Sequence, residues 1–409
     1  MDSTDRLRGR DIPMLDGYRA LAALLVLTTH VGFATGAILW PGIGPAIGRM
    51  DFGVALFFLL SGFLLSQPWL HAGEGTRGWP NARVYLVRRF ARIFPAYWIA
   101  MTVALAALPA NSAVTAQDWL RYGLLLQIYS EPTVFAGLTH IWSLAVEVSF
   151  YVALPAMMWG ALRWRRSSDS QVRSAVPLLV ALLVVGFAAR LVAMGPLQES
   201  MAGLWLPGYL DWFAAGMLAA YARVLQHRSV VPRWARSLRD MAHDTTTSLV
   251  VGMLLLAISL TPVAGPVTLD QPTMWEGMVK HLLYGSAAFF LLLPAFLGSS
   301  TGRFGRFMSV GLLRRLGQIS YGIFLWHLLL LEIIQPAMGL TLFGGGFWIL
   351  WPVTVAASVL AAAVSWIVVE KPLLARTHAA SRVRAVPEVP DSSEKARKPV
   401  PKPEKTNFT

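Results

Sequence analysis

The sequence predicts an all-α, polytopic membrane helix bundle, and three observations carry that expectation. Hydrophobic residues make up 55% of the 409-residue chain and charged ones 14%, with a mean hydropathy of +0.53, a composition unlike that of soluble domains. Apolar runs of about 18 to 24 residues recur along the chain, each long enough to cross the hydrocarbon layer as a helix. Finally, 30 of the 35 Lys and Arg residues fall in the two termini and in alternate connections between the runs, the distribution that marks cytoplasmic segments.

Ten runs fit the template: 15–36, 52–70, 93–110, 141–160, 175–195, 203–222, 247–264, 276–298, 317–338 and 347–369. Their even number and the basic ends predict that both termini are cytoplasmic. The expected organisation is a cytoplasmic N-terminal segment (1–14), a membrane domain (15–372) and a disordered cytoplasmic tail (373–409). From Ser381 onward the tail carries five prolines and alternating charge without an apolar period, a composition that cannot build a core. The stretch 118–136 is apolar but short and encloses Arg121, so it is read as a re-entrant or interfacial element. The first run is too long for a signal-peptide core and is read as a retained anchor.

Composition also excludes several classes of function. A net charge of +13 could indicate a nucleic-acid partner, but its one-sided distribution reports topology instead. The chain has no cysteine, which removes disulfides, thiolate catalysis and cysteine-ligated metals. No P-loop, dinucleotide-binding fingerprint or metal-ligand spacing is present, so neither a metal nor a bound cofactor is expected. Oligomeric state is not legible.

Ionisable residues inside apolar spans are costly and mark functional positions. Arg19 and His30 lie eleven residues apart on the first span; about three helical turns separate them, so they share a face at roughly 16 Å along the axis. The pair suits a ligand with an anionic end and a reactive end, with His30 as a general base. Each residue also has a structural alternative: His30 bonded to a neighbouring helix, Arg19 snorkelling or pairing with Asp16. Glu147, about six residues into the fourth span, falls at a calculated depth close to that of His30. A lone buried imidazole is a weak base, so a His30–Glu147 hydrogen bond is expected, with Trp142 and Phe150 keeping water out. The alternative for Glu147 is a structural pair with Arg121 or Arg190.

Arg88, Arg89 and Arg92 precede the third span, where Pro95 fits the first helical turn. Arg88 and Arg92 share a helical face, and guanidinium forks suit phosphates; ordinary positive-inside anchoring is the alternative. Arg190 and Asp211 lie on consecutive antiparallel spans and are expected to pair, or else to line an acceptor cavity. His327 sits mid-membrane and is read as structural or acceptor-facing.

These segments together resemble the membrane acyltransferase 3 family of bacterial integral membrane O-acyltransferases. The resemblance spans residues 15–372 and rests on six segments in order: Arg19-x10-His30, Phe57–Phe63, Arg88-Arg89-x-x-Arg92-Ile93-x-Pro95, Trp142-Ser143-Leu144-x-x-Glu147-x-x-Phe150-Tyr151, Ile319-Ser320-Tyr321-x-x-x-Leu325-Trp326-His327, and Glu370-Lys371-Pro372. It implies acyl-coenzyme A as a cytoplasmic donor, His30 as the catalytic residue, and Arg19 and the Arg88–Arg92 cluster as contacts to donor phosphates. The expected function is transfer of a short acyl group, acetyl first, to a hydroxyl of a sugar-containing acceptor such as a polysaccharide, glycolipid or macrolide. The expected location is the bacterial inner membrane. Some members carry an extra extracytoplasmic hydrolase-like domain, and this chain looks like the stand-alone form. The competing expectation is a non-enzymatic transporter or exporter of a glycan or lipid precursor.

Overall fold

The structure, a computed structural model, describes residues 12–130, 134–163, 175–198, 200–226, 228, 230–268, 270–299 and 301–383. In chain order the helices are α1 (Pro13–Thr35), α2 (Gly44–Gly48), α3 (Gly53–Gly73), α4 (Ala82–Ala107), α5 (Ala116–Gly123), α6 (Ile141–Arg163), α7 (Ala175–Met194) and α8 (Leu210–Leu225). They continue with α9 (Arg233–His243), α10 (Thr245–Ser259), α11 (Met274–Leu297), α12 (Arg303–Met308), α13 (Gly311–Gln318), α14 (Ser320–Ala337), α15 (Phe347–Ser365) and α16 (Lys371–Val383). No strand interrupts them among the described residues.

Each of the ten expected spans coincides with a helix, and eight of these are long and apolar enough to cross a membrane on their own. The other two are shorter. The 203–222 run folds as two 3₁₀ turns, Met201–Leu204 and Leu206–Tyr209, followed by the 16-residue α8. In the 247–264 run, α10 has 15 residues and meets the amphipathic α9 at a bend of 90°. At about 1.5 Å per residue α10 is roughly 22 Å long, less than the hydrocarbon thickness. The short stretch 118–136 begins inside α5, which is capped by a reciprocal Thr115–Asp118 box, and continues with a 3₁₀ turn at Gln127–Tyr129.

Two boundaries differ from the sequence expectation in ways that matter for the site. The helix expected from residue 93 already starts at Ala82, with Asn81 as a side-chain cap on the Val84 N–H. Arg88, Arg89 and Arg92 are therefore helical residues, and Pro95 lies inside α4 rather than in its first turn. There it removes one backbone donor, a loss the surrounding bundle absorbs. At the other end, helix continues through a π-turn (Trp366–Glu370) into α16 and reaches Val383. The tail expected to be disordered from 373 thus begins as helix, and 384–409 lie outside the described residues, as do residues 1–11.

Helix α1 is the hub, touching α3 and α11 through α15. The closest packing is between α3 and α8, where backbones meet through a pair of glycines. A Cβ on Gly62 would lie 2.1 Å from the Phe213 carbonyl oxygen, and one on Gly216 2.0 Å from that of Leu59. Small residues permit such approach, which supplies van der Waals contact where lipid offers no hydrophobic gain between helices. Stacked rings extend the same seam, with Phe150–Phe213 and Phe63–Phe296 centroids both 4.0 Å apart. Gly216→Ala should accordingly lower thermal stability in detergent by about 1–3 kcal/mol. Gly160→Ala, in a helix with no heavy atom within 4 Å of the added carbon, should leave the melting temperature unchanged or raise it.

Candidate active site

A cavity of about 270 Å³ opens between α1, α3, α4, α6 and α14. Three cations line it: Arg19 from α1 and Arg89 and Arg92 from α4. Arg19 is held 3.2 Å from the Asp16 carboxylate one turn earlier, and the Arg89 guanidinium lies 5.9 Å from the ring centres of both Tyr85 and Tyr151. Arg88, the residue before Arg89, is not among the lining residues. Arg88 and Arg92 are four apart in α4, as their expected shared face requires, but of the three arginines it is Arg89 and Arg92 that line the cavity.

Glu147 also lines this cavity. Its Oε1 accepts hydrogen bonds from the Ser61 hydroxyl and from the Tyr151 hydroxyl at 2.6 Å. The expected His30–Glu147 hydrogen bond is absent, and so is a Glu147 pair with Arg121 or Arg190. The reason is the depth at which α6 begins. His140, one residue before that helix, already packs against His30 with ring centroids 6.1 Å apart. Glu147 is seven residues further on, about 10 Å along the axis toward the arginines.

His30 instead belongs to a cluster of three imidazoles. The His327 ring centre is 5.0 Å from that of His30 and 4.7 Å from that of His140, and both partners are buried, His140 at 3% and His327 at 0% exposure. Nδ1 of His30 lies 2.7 Å from the Val26 carbonyl oxygen and 3.2 Å from Nε2 of His327. Nδ1 of His327 lies 2.6 Å from the Phe324 carbonyl oxygen. His140 carries no obvious mark in the sequence beyond opening the Trp142-to-Tyr151 segment, and only its place before the first turn of α6 brings it into the cluster.

Phe324 joins the two regions. It lines the arginine cavity, while its ring lies 4.9 Å from that of His140 and 6.1 Å from that of Phe57. The pair Phe57 and Phe324 thus stands as an aromatic wall between the charged cavity and the histidines. Tyr321, one turn below, ties α14 to α4 by donating to the Ile93 carbonyl at 2.7 Å.

The remaining candidates lie elsewhere. Trp142 packs on Tyr209 with ring centroids 5.5 Å apart, away from the cluster. The expected Arg190–Asp211 ion pair is not formed. Asp211 accepts from Nε2 of His281 at 2.7 Å, and Trp212 stacks on that imidazole at 4.5 Å. Arg190 donates to the Gly203 carbonyl and the Tyr209 hydroxyl and sits 5.1 Å over the Tyr209 ring. Sequence reasoning missed His281 because its partner is 70 positions away, on a helix whose neighbours only the fold reveals. Arg190 thus takes its partners from the two turns before α8, Asp211 from α11, and Trp142 from Tyr209. Among the described residues no group of three or more His, Asp or Glu side chains is arranged to hold a metal ion.

A family model described as an acyltransferase domain matches residues 12–370. Among curated proteins, the peptidoglycan O-acetyltransferase OatA of Listeria monocytogenes is 24% identical over 369 residues, covering 83% of this chain and 53% of the relative. Nodulation protein 10 of Rhizobium leguminosarum bv. viciae is 28% identical over 345 residues, covering 79% and 82%. The putative peptidoglycan O-acetyltransferase YrhL of Bacillus subtilis is 26% identical over 384 residues, covering 89% and 55%. The chain thus spans about half the length of two of these relatives. No solved structure matches it significantly. With the match running through the cavity, the histidine cluster and every spanning helix, this multi-pass chain belongs to the membrane acyltransferase family that the domain defines.

Proposed function

We propose that the protein is an O-acyltransferase of the bacterial inner membrane that moves a short acyl group, acetyl first, from acyl-coenzyme A to a hydroxyl of a sugar-containing acceptor. One observation carries this reading. A single helix, α1, holds a cavity arginine at position 19 and an imidazole at position 30, roughly 16 Å apart along its axis, and the cavity beside the arginine reaches the Phe57–Phe324 wall on whose far side the imidazole lies. An extended pantetheine arm matches that separation. The names of two relatives point to peptidoglycan as their acceptor, which favours a cell-envelope glycan here. Family membership favours the enzyme over a transporter.

In this reading the basic side of the bundle faces the cytoplasm, and the donor's phosphates lie against Arg19, Arg89 and Arg92, where charge-assisted, forked hydrogen bonds are strongest. Glu147 acts at this end, keeping Ser61 and Tyr151 ordered beside the arginines. The pantetheine arm runs past Ser143 to the wall formed by Phe57 and Phe324. His30 takes the proton of the acceptor hydroxyl as its oxygen attacks the thioester carbonyl; the new C–O bond forms, the C–S bond breaks, and the proton passes on to the leaving thiolate.

The direct test is acceptor-dependent transfer of a labelled acetyl group from acetyl-coenzyme A by purified protein in detergent or nanodiscs. Wild type should transfer label, and folded His30→Ala should lose at least about 10²-fold in turnover. Near-wild-type transfer by His30→Ala would remove the histidine from the chemistry. Donor binding gives a second test. Arg19→Ala, Arg89→Ala and Arg92→Ala should each raise the donor KM, by an amount corresponding to about 1.5–3 kcal/mol per lost charged contact, with little change in the acceptor KM. Arg88→Ala should have a markedly smaller effect. Equal effects at all four positions would point to general surface charge rather than to the cavity.

A further inference from the structure

We infer that His327 is the residue that positions His30 as a base, the role the sequence assigned to Glu147; this rests on the acyltransferase reading given above. Carbonyl oxygens only accept hydrogen bonds, so the 2.6 Å contact from Nδ1 of His327 to the Phe324 carbonyl puts the proton of a neutral His327 on Nδ1. Its Nε2 is then a bare lone pair. That atom lies 3.2 Å from Nδ1 of His30, which itself faces the Val26 carbonyl at 2.7 Å. One N–H on Nδ1 of His30 serves both acceptors. The proton of neutral His30 is therefore fixed on Nδ1, and Nε2 carries the lone pair that a general base needs.

The arrangement has the logic of a triad in which the third member holds the imidazole in one tautomer and orientation. When Nε2 takes the acceptor's proton, the positive charge is shared through Nδ1–H with the lone pair of His327, and both return to neutrality when the thiolate is protonated. His327 touches neither donor nor acceptor in this scheme. Its burial at 0% exposure, its place on α14 three residues beyond Phe324, and the packing of His140 edge-on against its ring at 4.7 Å keep the contact in one geometry.

The test compares three substitutions at position 327 in full-length protein, with acetyl-coenzyme A as donor. His327→Gln carries an acceptor oxygen as far out as the lost Nε2, whereas His327→Asn is polar but too short and His327→Leu has no acceptor. His327→Leu and His327→Asn should lower kcat by about 10²-fold, the lower end of what a positioned base contributes, with donor KM and calorimetric donor binding within about twofold of wild type. His327→Gln should recover a substantial part of the loss. Equal losses in all three variants, or losses that appear in donor KM as much as in kcat, would make His327 structural. Wild-type kcat in His327→Asn would overturn the inference as well. Absence of acetyl transfer by the wild-type protein would instead overturn the acyltransferase reading on which it rests.

Discussion

Hydrocarbon tolerates an ionisable side chain only where it is paired or faces a cavity, and this constraint organises the whole bundle. Asp211 is hydrogen-bonded to His281, Asp51 is paired with Lys280, and Glu370 is bonded to Ser365. The Arg49 guanidinium is spent on the carbonyls of Ser259, Ala264 and Gly265. All but the Glu370–Ser365 bond join segments distant in sequence, and together they leave the interior with few groups free to meet a substrate. What lines the cavity is an excess of positive charge: three arginines and the carboxylate of Glu147, with Asp16 bonded to Arg19. The donor phosphates proposed above supply the charge that complements such a site.

The second consequence concerns distance. Because α1 carries both Arg19 and His30, the separation between the charged end and the imidazole is set by helix geometry and cannot drift with loop movement. The other helices are arranged around this ruler. α4 supplies cations to one end, α14 supplies Tyr321 in the middle and His327 at the other end, and α6 runs alongside from His140 to Tyr151. The close α3–α8 contact through Gly62 and Gly216 buttresses the wall that includes Phe57. Apart from His140, which directly precedes α6, helices rather than loops hold the members of the site, as positioning to within fractions of an ångström demands.

Much of this was legible in the sequence because membrane helices announce themselves locally. Apolar length, charge distribution and the eleven-residue Arg19–His30 spacing are all properties of single segments, and helices stand where each of the ten runs was expected. What the sequence could not supply was the relation between segments. Glu147 and His30 were matched by calculated depth on the assumption that α6 starts at the membrane surface. Instead α6 starts directly after His140, which packs against His30, and Glu147 falls beside the arginines. His140, His281 and His327 looked scattered for the same reason: contacts across 70 to 297 positions depend on helix order around the bundle. The early start of α4 was hidden because its first three turns are basic and fall outside any hydropathy window, although Asn81 is a recognisable cap.

The central claim is that one ligand spans the distance from the arginines to His30. The most direct measurement is an electron cryomicroscopy structure of the His30→Ala protein with a non-hydrolysable acetyl-coenzyme A analogue. The account predicts nucleotide phosphates against Arg19, Arg89 and Arg92, Phe324 turned away from Phe57, and the acyl carbon beside the space left by the His30 ring. Density for the nucleotide outside this cavity, or an acyl group held on the Arg19 side of an unbroken Phe57–Phe324 wall, would contradict it.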